Sequence, residues 1–191
     1  MPSIKPFRQV DENDAINGFF GWLDVTPTLA GTFVKINSGW FADQYSSLLN
    51  NFADNIPGGA GAMDSERWGV PAKVVKCAAT GDKAIGILTY DVRETDENGE
   101  KLISHPRKAD ENNWIISGRA VNIATKGLFI YSGVNGGNLP VVGVTVGANA
   151  FLGTDGGINT SGSTTNADVT KVGKFLGVPD ANGWVLFKLE L

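Results

Sequence analysis

Cysteine and histidine are almost missing from this chain, with Cys77 and His105 the single representatives of their types. One cysteine excludes an internal disulfide, so the fold must stand on packing alone. Set in the apolar run "VPAKVVKCAA", Cys77 reads as a buried thiol rather than a reactive one. One His and one Cys cannot assemble a zinc set without several carboxylates. His105 lies in the loop-like "SHPRK" and the chain has no G-x-S-x-G elbow, so it reads as a surface or hydrogen-bonded structural residue rather than a catalytic base. Long apolar runs are missing too: nothing approaches the ~18 consecutive apolar residues a membrane span requires. The opening "MPSIKPFRQVDENDAING" has neither the apolar run nor the cleavage site of a signal peptide, which predicts a soluble protein made in a cytoplasm. Basic charge is in deficit, with 16 Lys and Arg against 20 Asp and Glu for a net charge of -4. That balance argues against nucleic-acid partners, whose binding is driven by cationic side chains displacing counterions from phosphates.

Chemistry-bearing motifs are equally sparse. The glycine-rich pieces "PGGAGAM", "GVNGGN" and "GTDGGI" match neither G-x-G-x-x-G nor G-x-x-x-x-G-K-[ST], and read as turns. Asp91, Glu94, Asp96, Glu97 and Glu100 include the materials for the carboxyl pair of a glycoside hydrolase. They crowd around Asn98 and Gly99, interleaved with Arg93 and Lys101, as a solvated hairpin tip would. The sequon "NTS" at Asn159 is discounted in a chain without a secretion signal. No catalytic residue, cofactor or metal ligand is assigned, and no enzymatic activity is expected.

What the chain does have is length for one core and an abundance of turns. Its 191 residues are 42% hydrophobic and 19% charged, and the 25 glycines exceed a usual share of roughly 7%. From residue 70 onward, "AKVVKCAA", "KAIGILTYDV", "WIISGRAVNIA", "GLFIYSG", "LPVVGVTVG" and "GWVLFKLEL" are short, β-branched and aromatic, with Gly, Asp, Asn and Pro between them. Spacing of roughly ten residues without intervening helical pattern predicts an all-β core, an antiparallel barrel or sandwich over residues 70–191. "WIISGRAVNIATKGLFIYSG" reads as a hairpin turning at "TKG", and Asn182 and Gly183 as a two-residue turn. The expected core is Val74, Val75, Ile85, Ile87, Leu88, Ile115, Val121, Ile123, Phe129, Val144, Phe175, Val185, Phe187 and Leu189, the apolar positions within these runs. Residues 152–170 could be a loop or polar strands, and the pattern does not separate the two.

Residues 1–69 have another texture. Phe41, Tyr45, Leu48, Leu49 and Phe52 fall on one face of a short helix over about 41–54, stopped by Pro57 and Gly58. Before it, the glycine-punctuated residues 1–40 predict an N-terminal arm, although "GTFVKI" alternates as a strand does. Large apolar side chains on such an arm either fold back or dock on a neighbour, which makes Phe19, Phe20, Trp22, Phe33 and Trp40 the candidate protein-interface residues. The apolar terminal strand and the aromatic arm together predict self-association as a homotrimer, with a dimer the alternative.

The stretch from "RWGVPAKVVKCAATGDKAIGILTYDV" through "GLFIYSG", the closing "VTKVGKFLGVPDANGWVLFKLEL" and the opening "IKPFRQVDENDAINGFF" resemble the head decoration, or cement, proteins of tailed bacteriophages. The likeness covers nearly the whole chain and rests on strand and turn framework. It implies a non-enzymatic β-rich virion protein on the outer surface of an icosahedral capsid, which stabilises the shell by bridging subunits of the major capsid protein. The resemblance carries over no individual contact residue. A tail-tube, baseplate or receptor-binding module is the competing expectation, and a glycan depolymerase a more distant one.

Overall fold

The computed structural model describes residues 3–6, 15–21, 28–38, 73–117, 119–137, 141, 143–161 and 170–191. In chain order the first strands are β1 (Ser3–Pro6), β2 (Ala15–Gly21), β3 (Phe33–Ser38), β4 (Lys73–Lys76), β5 (Ala84–Leu88) and β6 (Asp91–Arg93). A short helix, α1 (Pro106–Glu111), leads into β7 (Trp114–Ile116), β8 (Ala120–Ala124) and β9 (Lys126–Ser132). The order closes with β10 (Asn149–Leu152), β11 (Ile158–Asn159), β12 (Lys171–Phe175) and β13 (Val185–Glu190). The chain is all-β, as expected, with two packed units: a closed barrel in the order β2-β4-β3-β5-β8 and a six-stranded sheet in the order β1-β9-β13-β12-β10-β11. The sheet is antiparallel throughout, whereas the barrel contains one parallel contact, β2 with β4, and β6 pairs with β7 in parallel.

The alternation of side chains along a strand explains how barrel and sheet share one core. Val34, Val74, Leu88, Val121 and Ile123 pack with one another inside the barrel. Their sequence neighbours Phe33, Ile87 and Ala124 point the other way, and with Cys77 they meet Phe129, Tyr131, Phe175, Phe187 and Leu189 of the sheet. The strand pattern of β13 fits this layer, because Val185, Phe187 and Leu189 are buried while Lys188 and Glu190 are exposed. Where β5 crosses β8, a Cβ on Gly86 would overlap the Ile123 Cγ2 methyl and the Ala124 carbonyl oxygen, so only glycine lets the barrel close at that seam.

The expected hairpin does not form. β8 pairs with β2 and β5 in the barrel, and β9 pairs with β1 and β13 in the sheet, so Thr125 links two sheets instead of turning between partners. A single linking residue is too short for a hairpin turn. The chain instead changes sheet at a corner, where Gly127 takes φ +138. Trp114–Ile116 is a separate strand alongside β6.

The N-terminal region departs from the arm in its described segments. β1 lies at the sheet edge on β9, β2 and β3 are barrel staves, and Thr28 exchanges backbone hydrogen bonds of 3.0 and 2.8 Å with Val92. Both units therefore draw strands from either side of residue 70. Glycine-punctuated sequence with little local preference is ordered here by pairing with strands far along the chain. The helix expected over 41–54 lies outside the described residues.

Two further expectations change. The described residues of "LPVVGVTVG" belong to no strand; Val144 is buried, but 145–148 form a turn whose Gly147 N–H donates to the Phe175 carbonyl at 2.7 Å. Asn182 and Gly183 sit in a wider turn, in which Asp180 N–H donates to the Trp184 carbonyl at 2.9 Å and only Gly183, φ +77, takes positive φ. Of the expected core, Val75, Ile85 and Ile115 are only half-buried, Ile85 and Ile115 packing at the margin of the barrel's interior cluster; the other eleven are buried.

Candidate interaction surface

The acidic segment folds into a cap over one end of the barrel, and its carboxylates have different tasks. Asp91 accepts the Ala30 N–H at 2.8 Å and the Arg93 guanidinium at 3.1 Å, and that guanidinium lies 4.3 Å from the centre of the Trp114 ring. Asp96 starts a turn: its Oδ1 accepts the N–H groups of Asn98 and Glu100, both at 2.8 Å, and its own N–H donates to the Glu100 carbonyl at 2.9 Å. Asp180 repeats this geometry in "DANGW", accepting from Asn182 at 2.9 Å and Trp184 at 2.8 Å, so D-x-N-G-x is one local turn used twice. The second oxygen of Asp96 receives Lys108 Nζ from α1 at 2.5 Å, with the Asp96 side chain 1% exposed. The Lys108 hydrogen bond, helped by the two N–H donors, holds the Asp96 carboxyl below the usual aspartate range, and the same bond raises Lys108.

These contacts assign Asp91 and Asp96 to architecture. Glu94, Glu97 and Glu100 stay exposed; Glu94 lies 3.8 Å from Lys101 and Glu100 3.8 Å from His105. A shallow depression of about 620 Å³ beside α1 is lined by Glu100, Ser104, His105, Lys108 and Glu111. Beneath the cap, Leu102, Ala109 and Ile116 form their own small core. Elsewhere, burial and then the Asp82 carboxylate push the Cys77 thiol up to about 12, with Lys35 acting in the opposite sense. Asp82 itself accepts Lys35 Nζ at 2.9 Å and the N–H groups of Ala78 and Ala79 at 2.8 and 3.0 Å. Among the described residues no group of three or more His, Cys, Asp or Glu is placed to hold a metal, and no helix is long and apolar enough to cross a membrane.

Of the candidate interface residues, Phe33 alone has a described side chain. Phe33 is fully buried between barrel and sheet and presents no surface, because the alternation of β3 sends it inward to the shared core. Phe19 and Phe20 lie in β2, their backbones opposite Val121 and Ala120 of β8. Trp22 and Trp40 lie outside the described residues. Among the described residues, several large apolar side chains are exposed. Val146 and Val178 are each 66% exposed, and Leu176 is 39% exposed. Val146 lies on the turn whose Gly147 N–H donates to the Phe175 carbonyl, and Leu176, whose N–H donates to the Leu186 carbonyl, and Val178 follow Phe175 in the chain. Sequence reasoning missed this cluster by treating "GVTVG" as strand; the available signal was valine inside glycine- and proline-bounded segments, "GVTVG" and "LGVPD". Compared with protein-family models, curated proteins and solved structures, the chain matches none.

Proposed function

We propose that this chain is a non-enzymatic structural protein of a tailed-phage virion that decorates the outer surface of the head and stabilises it by bridging major capsid protein subunits. The observation that carries the reading is the exposed cluster of Val146, Leu176 and Val178, set on turns that a two-layer β-core holds in place. Apolar side chains on short, hydrogen-bonded turns lose little further entropy on docking, which is the economy a clamp needs. The family resemblance across the chain agrees with this. So does the use of Asp91, Asp96 and Asp82 in structural pairs, since a clamp needs stiffness and surface rather than poised proton donors.

Burying a valine is worth at least about 1.5 kcal/mol. Val146→Glu combined with Val178→Glu should therefore weaken attachment to expanded, undecorated heads by at least about tenfold, while the melting temperature stays near that of the parent. Equal attachment by parent and variant would remove the cluster from the interface.

A further inference from the structure

The outer face of the six-stranded sheet, opposite the barrel, has a character that the composition conceals. The register places Lys5, Ile130 and Leu186 in one cross-strand row and Lys174, Lys188 and Leu128 in the next, followed by Lys126 with Glu190. These positions alternate with the buried Phe129, Tyr131, Val185, Phe187 and Leu189, so their side chains stand on the opposite face. Ile130, Leu186 and Leu128 are half-buried, and the four lysines are exposed. Trp184 extends this face, with Lys5 Nζ 4.6 Å from its ring. An apolar strip flanked by four lysines and one glutamate thus lies on a chain of net charge -4.

Among the described residues, the cap carries exposed charge of the opposite sign. There Glu94, Glu97, Glu100, Asp110 and Glu111 are exposed, against Lys101 and Arg107, while Asp96 and Lys108 neutralise one another. On the same segment, in the turn before α1, Ile103 is 51% exposed.

We propose that the two surfaces are complementary halves of one contact, so that the acidic cap of one copy docks on the basic sheet face of another. Ile103 would meet the Ile130–Leu186 strip while the surrounding glutamates face Lys174 and Lys188. Such a contact is isologous where two copies dock reciprocally as a dimer, and heterologous where successive copies close a ring. It lies between copies of this chain and stands independently of any shell.

Sedimentation velocity on the full chain tests it without phage heads. At about 50 mM salt the chain should associate, and at about 500 mM the dissociation constant should rise at least about tenfold, because exposed charge pairs are screened. Lys174→Glu with Lys188→Glu makes both surfaces acidic, and Glu97→Lys with Glu111→Lys makes both basic. Each double variant should be monomeric, and an equimolar mixture should associate again, since every face then meets a cap of opposite sign. All four side chains are exposed, and circular dichroism verifies that the variants remain folded. A parent monomeric at low salt, association indifferent to both reversals, or folded variants that fail to associate on mixing would overturn the proposal.

Discussion

At Gly86 the packing leaves room for a hydrogen and nothing larger, because the Ile123 methyl and the Ala124 carbonyl occupy the place of a Cβ. Gly86→Ala should therefore cost about 1–3 kcal/mol, as overpacking of a core does, read as a lower denaturant midpoint with unchanged slope. Asp96 makes a prediction with a pH signature. Its folded pKa is depressed, so its contribution is complete above the ordinary aspartate value of about 3.9 and disappears as pH falls through the lower folded value. Asp96→Asn keeps an oxygen for the Asn98 and Glu100 N–H groups but loses the Lys108 pair; Asp96→Ala loses both. The melting temperature near neutral pH should rank parent above Asn above Ala, and the gap between parent and Asn should narrow below about pH 3. A gap that persists at low pH would contradict the ion-pair assignment. Cys77, pushed up to about 12, should react with a thiol reagent far more slowly in the native protein than in the unfolded chain at neutral pH. Equal rates would contradict its burial.

At the scale of elements, β1, β2 and β3 carry the sharpest consequence. Removing residues 1–40 takes an edge strand from the sheet and two of the five barrel staves, so the truncated chain should lose cooperative unfolding altogether. A truncated chain with a parent-like thermal transition would restore the idea of a dispensable arm. Strand identity was legible in part: "GWVLFKLEL" alternates as β13 does, and "KAIGILTYDV" contains β5 and the start of β6, whereas β1, β2, β10, β11 and β12 gave no such signal. Pairing was not legible. A local pattern records which face of a strand is apolar but not which strand lies beside it, so "AVNIATKGLFIYS" looked like a hairpin although Thr125 joins two sheets. The cap shows the same limit at site level. Its five carboxylates were visible as a group, but the division into Asp91 and Asp96 as anchors and the glutamates as surface depends on Ala30 and Lys108, which only the fold brings near.

At the scale of the molecule, a closed barrel backed by an antiparallel sheet shares with it one buried layer. The apolar turns bear Val146 and Val178, and the lysine-flanked face lies across the sheet. In the proposed function the turns engage the shell and the charged surfaces engage neighbouring copies, so salt should weaken contacts between copies more than attachment to heads. Under the proposed function, cosedimentation of the purified full chain with expanded, undecorated heads of its phage reads attachment to the capsid. Binding to the outer surface should saturate at a fixed copy number per head and be lost in the Val146→Glu and Val178→Glu double variant. Failure of the folded parent chain to bind those heads at any concentration would contradict the proposed function.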